Sequence, residues 1–369
     1  MTKVKKEIIS LALASILATF IVWLPFIFGS NGGMLTVFKN YDGPNYLVVT
    51  KSWYDKTFIS SRFSLPLPAE YYPAHLPGYP FIISILDIFL PGPWAMLVST
   101  LIFSVFCSLV FYLFLLKFKL SENPFWLSLI FLALPARWAA VKAVGSPEPL
   151  FIFAILASFY FFKSEKYWLA GIFGALAQVT KSPGILLFAG YSIYLFKDIK
   201  SVGDFGEKFK KIVPLLLIPL SALAVFLFYQ IRTGDFLAYF HSGDNFHLVF
   251  SPYQSFSQNR SWLGDFWRED MVWQYLLGAL AVIFLFKQKF YDLAGFAGIF
   301  FAATLFVAHR DLARYSLPLI PFSLIAFDKF LQKREFKIAL LIILPAIYLY
   351  AINFISHNTA PVADWSPYL

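Results

Sequence analysis

The stretch Gly78-Tyr79-Pro80-Phe81-Ile82-Ile83-Ser84-Ile85-Leu86-Asp87-Ile88-Phe89-Leu90, followed by Pro91-Gly92-Pro93, decides how the rest of the chain is read. As a helix rising about 1.5 Å per residue it covers only about 20 Å, short of the ~30 Å hydrocarbon core of a bilayer. It also carries Asp87. The stretch is therefore read as a juxtamembrane or re-entrant helix over residues 78–90 that does not cross. The lysine clusters downstream then all fall on the cytoplasmic side, as the positive-inside rule requires: Lys117 and Lys119, Lys163 and Lys166, Lys197 through Lys211, Lys287 and Lys289, and Lys329 through Lys337. Counting the stretch as a crossing puts every one of them outside.

Composition supports a bilayer as the solvent. Of 369 residues, 59% are hydrophobic and 14% charged, 45 are Phe, and the mean hydropathy is +0.68; a soluble domain carries roughly 25% charged residues. A water-soluble globule, a disordered chain and a disulfide scaffold are excluded together, the last because Cys107 has no partner. The net charge of +9 is spread over short connectors and forms no patch for nucleic acid. Lys3, Lys5 and Lys6 ahead of an apolar run ending in Trp23, Phe26 and Phe28 describe an uncleaved signal anchor with a cytoplasmic N-terminus.

The expected fold is thus an all-α polytopic membrane bundle forming a single domain over residues 1–369. About eleven transmembrane helices are expected, near residues 8–29, 94–116, 124–140, 148–163, 167–181, 184–197, 212–231, 271–287, 291–308, 315–330 and 338–356. Two long external loops, about 30–76 and 232–270, join them. This topology sorts the remaining polar residues. Lysines dominate the inner connectors, whereas Arg62, Arg137, Arg232, Arg260, Arg268, Arg310 and Arg314 and the histidines at 75, 241, 247, 309 and 357 all lie outside. Arginine's planar fork suits phosphate and carboxylate, so the chemistry is expected on the outer face.

Two external groups carry it. In Phe38-Lys39-Asn40-Tyr41-Asp42-Gly43-Pro44-Asn45-Tyr46, the carboxylate of Asp42 follows the first span closely and can act as a general base; equally, Asp-Gly-Pro is an ordinary turn or helix-capping signal. The second group sits at outer helix ends: Glu148 in Gly145-Ser146-Pro147-Glu148-Pro149, Lys181 in Thr180-Lys181-Ser182-Pro183-Gly184, and Arg310 and Arg314 in His309-Arg310-Asp311-Leu312-Ala313-Arg314-Tyr315. Charges at membrane depth are functional candidates because they are costly, while interfacial anchoring explains the same positions without chemistry.

The sequence at this point resembles the GT-C superfamily of polyprenyl-phosphate-sugar-dependent glycosyltransferases. The likeness rests on Tyr41-Asp42-Gly43-Pro44-Asn45-Tyr46 and on Tyr72-Pro73-Ala74-His75-Leu76-Pro77-Gly78-Tyr79-Pro80 leading into a half-length helix. Within the superfamily it is similar to the PIG-V-like mannosyltransferases, through Gly145-Ser146-Pro147-Glu148, Lys166-Tyr167-Trp168-Leu169-Ala170-Gly171, Thr180-Lys181-Ser182-Pro183-Gly184 and Arg314-Tyr315-Ser316-Leu317-Pro318. It departs where that family has Trp-Asp before an aromatic or His-aromatic pair, since this chain has Tyr41-Asp42 and a Pro, and it inserts Pro147 between Ser146 and Glu148.

The resemblance implies a sugar, mannose by family likeness, moved with inversion from a polyprenyl or dolichyl phosphate to a hydroxyl of a lipid, glycan or protein acceptor. Asp42 would be the base, and Lys181, Arg314 and secondarily Arg310 would hold the donor phosphate. Glu148, Tyr46 and His75 would orient the substrates. No cofactor or metal is called for, and His241 and His247 match no standard ligand spacing. The setting would be a multi-pass protein of the cell membrane in a prokaryote, or of the endoplasmic reticulum in a eukaryote, with an extracytoplasmic site. A transporter or flippase of lipid-linked sugars is the other class; it would favour internal repeats and mid-span charges, and neither is evident.

Overall fold

A computed structural model describes residues 2–29, 32–40, 42–64, 66–197, 201–243, 248–257, 264–362 and 364–369. These residues form helices with two isolated β-bridges and no strand. In chain order the first helices are α1 (Lys3–Ile27), α2 (Met34–Phe38), α3 (Gly43–Ser52), α4 (Lys56–Arg62), α5 (Gly78–Leu86), α6 (Gly92–Phe118), α7 (Pro124–Ala133), α8 (Ala136–Val141), α9 (Glu148–Lys163) and α10 (Tyr167–Thr180). Then come α11 (Ile185–Phe196), α12 (Val202–Ile212), α13 (Leu217–Thr233), α14 (Ala238–His241), α15 (Asp265–Lys287), α16 (Tyr291–Thr304), α17 (Leu312–Tyr315), α18 (Ile320–Ala326), α19 (Asp328–Leu331) and α20 (Arg334–His357).

The chain is a multi-pass membrane protein. Among the described residues, five helical stretches are long and apolar enough to cross a bilayer, namely Lys3–Ile27, Gly92–Phe118, Gly203–Thr233, Trp267–Lys287 and Arg334–His357, with shorter apolar helices between them. In such a helix a hydroxyl is tolerated only if it is bonded locally. In α6, Ser99 and Ser104 accordingly donate to the carbonyls of Ala95 (2.7 Å) and Thr100 (2.8 Å). The α6, α9 and α10 helices pack side by side, with α13 against α10 and α16 against α11. Most of their buried side chains are apolar, with Ser99, Thr100, Ser104 and Ser108 of α6 and Gln178 and Thr180 of α10 among the polar ones.

The nine residues of α5 are too few to cross. Asp87, its C-cap, is held by Lys51 of α3 at 2.8 Å, so the short helix is tied to the first loop. Three expected spans are interrupted, each for a backbone reason. The 124–140 stretch divides into α7 and α8 around Pro135, which has no N–H to give a continuing helix. The 315–330 stretch is divided at Pro318 and Pro321 into α17, a 3-10 turn and α18. The 291–308 stretch stops at Thr304, because the backbone beyond turns to the second loop: Val249 N donates to Phe306 O and Tyr253 N to Leu305 O, both at 2.9 Å.

The segment after α20 folds back onto the first loop. Ala360 N donates to Lys39 O (2.7 Å), Asn40 bridges Thr359, and Trp365 packs near Phe38 with ring centres 6.4 Å apart. This strap holds the residues just ahead of Asp42.

Candidate active site

Four of the residues singled out above converge. Asp42 occupies the N-cap position of α3, yet its side chain makes no capping hydrogen bond. Instead its Oδ2 accepts from Arg314 Nη1 at 2.6 Å. That contact joins residues 272 positions apart and argues against a mere turn-forming role. Glu148, the first residue of α9, is 1% exposed and is the hub: its Oε1 accepts from Arg314 Nε and from Lys181 Nζ, each at 2.7 Å. The hydroxyl of Ser146 donates to its other oxygen. A first-turn carboxylate is also favoured by the helix dipole.

Local sequence explains each placement. Lys181 caps α10 because Ser182-Pro183-Gly184 turns the chain back over the last helical turn. A side chain at Gly184 would meet Gln178 N and Cα at 2.5 Å, so only glycine permits that fold. Gly78 does the same for α5: a Cβ there would lie 2.7 Å from Val179 O, and the close approach docks α5 on the end of α10. Arg314 lies in the single turn of α17, whose N-cap Asp311 accepts Arg314 N at 2.9 Å through its carbonyl.

A second buried pair supports that turn. Arg137 Nη2 lies 2.9 Å from Asp311 Oδ1, and its guanidinium sits 3.9 Å from the centre of the Phe354 ring. Sequence reasoning placed Arg137 on the outer face but did not pair it with anything. The signal was present, because Arg137 is a charge in an otherwise apolar run and is 5% exposed here.

These groups border a cavity of about 990 Å³. Its lining is mixed. Ile185, Leu186, Ala222, Val225, Phe226 and Phe300, from α11, α13 and α16, contribute apolar surface, and Asp42, Lys181, Arg310, Arg314 and Arg137 contribute charge. Tyr46 and His75 line it too, their rings edge to face at 4.9 Å, and Tyr71 packs on His75 at 5.4 Å. Burial, with help from the Arg314 and Lys181 charges and against the pull of Asp42, pushes the His75 imidazole down to about 4, so it is neutral at pH 7. Burial alone would raise the Asp42 carboxyl, but the Arg314 guanidinium beside it prevails and holds it below its ordinary value.

Other expectations are redistributed. Arg310 is an exposed residue of the cavity lining that makes no ion pair among the described residues and takes no part in the Glu148 network. Glu148 is brought to the site but lies behind its surface, where it organises the two cations instead of facing a substrate. Arg232 and Arg268 are spent on backbone carbonyls, of Trp53 (2.8 Å) and Ser255 (3.1 Å). His309 and His357 line the cavity; His241 pairs with Asp235 at 2.7 Å. Tyr41, Arg260 and His247 lie outside the described residues. Among the described residues no group of three His, Cys, Asp or Glu side chains is arranged to hold a metal.

No protein-family model and no curated protein sequence matches the chain. Solved structures do. The archaeal oligosaccharyltransferase AglB from Archaeoglobus fulgidus, in complex with an inhibitory peptide and a dolichol-phosphate, is similar over 99% of this chain, with 14% identity and a TM-score of 0.53. The S. cerevisiae protein O-mannosyltransferase Pmt1-Pmt2 complex bound to the sugar donor is similar over 70% of it, with 15% identity and a TM-score of 0.42. The chain spans 57% and 37% of those two chains. The likeness to AglB shows that the two chains share a fold.

Proposed function

We propose that the chain is an integral-membrane glycosyltransferase that moves a sugar from a polyprenyl phosphate to an acceptor hydroxyl. The observation that carries this reading is the convergence of two carboxylates, Asp42 and the buried Glu148, on the cations Arg314 and Lys181 beside a cavity that is otherwise lined largely by apolar side chains. A prenyl chain lies along α11, α13 and α16, and its phosphate meets Arg314 and Lys181. The mannose assignment rests on the resemblance of the motifs around Glu148, Lys181 and Arg314. The acceptor is a lipid, glycan or protein, and the site faces the extracytoplasmic side, as the lysine placement argues.

In this mechanism the acceptor oxygen attacks the anomeric carbon as its proton passes to Asp42. The bond from that carbon to the phosphate oxygen breaks, and the electron pair leaves on the lipid phosphate. Arg314 and Lys181 stabilise the developing charge. A single displacement inverts the anomeric centre. The Asp42–Arg314 contact makes Asp42 a poor base in the empty site; an anionic phosphate taking up the guanidinium frees it, so base and donor are coupled. His75, neutral and packed on Tyr46, contributes shape and hydrogen bonding rather than charge.

The test is transfer from dolichyl-phosphate-linked radiolabelled mannose by the purified chain in lipid nanodiscs. Asp42→Asn is expected to keep its thermal stability and lose at least ~10²-fold in rate, the low end of a general-base contribution. Near-normal turnover by that variant removes Asp42 from the mechanism.

A further inference from the structure

We propose that Gln178 reads a hydroxyl of the donor sugar, its side-chain amide binding the ring next to the phosphate. The inference rests on the donor reading above and names a further group that recognises the sugar. Glu148 was one candidate for that role by sequence, beside Tyr46 and His75. Both its oxygens are committed, one to Arg314 and Lys181 and the other to Ser146, and it stands behind the cavity surface. Thr180, which also lines the cavity, gives its hydroxyl to Leu176 O at 2.7 Å. Asp42 has one oxygen on Arg314 and needs the other for the attacking hydroxyl.

Gln178 differs from Glu148, Thr180 and Asp42. It lines the cavity, is 7% exposed, and its Oε1 has no hydrogen-bond partner among the described residues. A buried acceptor left unmatched is destabilising, and native proteins keep such groups where a ligand or an ordered water completes them. The position is suited to a sugar. Gln178 lies in the last turn of α10 and precedes its extended C-cap, Lys181, by three residues, and both side chains line the same cavity. A phosphate on Lys181 therefore brings its attached ring within reach of the amide. The chemistry fits a neutral hydroxyl: the unpartnered amide oxygen can accept from its O–H, a bond that neither a phosphate anion nor a prenyl methyl supplies. Gly184 holds the segment rigid, because its missing side chain is what lets the turn close against the backbone of Gln178.

The experiment measures equilibrium binding of dolichyl phosphate, dolichyl-phosphate mannose and dolichyl-phosphate glucose to the full chain in nanodiscs. The unaltered protein is expected to bind one of the sugar-bearing lipids at least about 10-fold more tightly than the bare phosphate, the factor that one net hydrogen bond of about 1.4 kcal/mol gives. Gln178→Leu should erase that advantage while leaving affinity for dolichyl phosphate within about 2-fold, and Gln178→Glu, which keeps an acceptor, should retain part of it. An advantage that persists in Gln178→Leu overturns the proposal, as does a wild type with no advantage for either sugar. Should Gln178→Leu not fold, singly deoxygenated forms of whichever sugar lipid the unaltered protein prefers probe the same bond. Loss of the advantage at one ring position supports the proposal, and loss at none overturns it. Failure of wild type to bind bare dolichyl phosphate is a separate result: it removes the donor reading and the inference with it.

Discussion

Replacing Glu148 by Gln tests whether the two cations are held by one buried carboxylate. Glu148 receives Arg314 and Lys181 at 2.7 Å each while itself 1% exposed. Removing one member of a buried ion pair costs about 3–5 kcal/mol, because the partner is left uncompensated. Here Arg314 keeps Asp42 at 2.6 Å, and the side chains of Arg314 and Lys181 are 20% and 22% exposed, so solvent recovers part of the loss. About 2–3 kcal/mol of destabilisation is therefore expected at neutral pH. The variant should also answer more strongly to anions. With Glu148 neutral, Lys181 and Arg314 are short of negative charge, and inorganic phosphate binding only the folded form stabilises by mass action. Thermal unfolding followed by tryptophan fluorescence in detergent, with and without phosphate, measures both effects. A variant with wild-type Tm and a wild-type phosphate response would refute the reasoning, since it would mean that the carboxylate neither neutralises nor positions the pair.

Arg314→Lys keeps the charge but cannot reach Asp42 and Glu148 from one planar group, so donor use should fall by at least ~10-fold, with acceptor dependence little changed; a silent substitution would mark Arg314 as an interfacial anchor. His75 has a folded pKa of about 4 against 6.5 for the free side chain, so the unfolded chain takes up its proton first and stability drains away as pH falls from 6.5 toward 4. At 1.36 kcal/mol per unit this is worth up to roughly 3 kcal/mol, and His75→Gln should flatten that limb of a Tm against pH plot; an unchanged limb contradicts the assignment. For topology, cysteines placed singly at Ser201 and Ser251 in a Cys107→Ser background should react with an impermeant reagent in intact cells only at position 251, both sites being exposed whereas Ser255 is buried. Labelling at 201 alone would put the site in the cytoplasm.

The helical membrane fold and the gathering of Asp42, Glu148, Lys181 and Arg314 were legible because charge is expensive in an apolar chain. Positions where it is tolerated at helix ends stand out, and one compartment is the natural place for them to meet. How they meet was not legible. Nothing in residues 145–149 says that Glu148 faces inward, or that Arg314 arrives with its fork already occupied by two carboxylates. Gln178 and Asp311 are ordinary by pattern and acquire meaning only from the cavity and from Arg137. The interrupted spans were hidden for a different reason. Hydropathy averages over a window, whereas prolines 135, 318 and 321 act on single backbone groups, and the backbone after Thr304 is satisfied by a loop about fifty residues earlier in the chain. The strap after α20 likewise depends on backbone contacts with residues 39 and 40 that no local pattern announces.

The most direct measurement is an experimental structure of the chain with dolichyl phosphate bound. The account predicts the phosphate within hydrogen-bonding distance of Arg314 and Lys181, the first isoprene units against the apolar side chains of α11, α13 and α16, and the Asp42 carboxylate on the side of the phosphate away from the lipid. A phosphate seated elsewhere, for instance at the opposite helix ends where Lys163 pairs with Asp292, with the Asp42, Arg314 and Glu148 contacts unchanged, would contradict it.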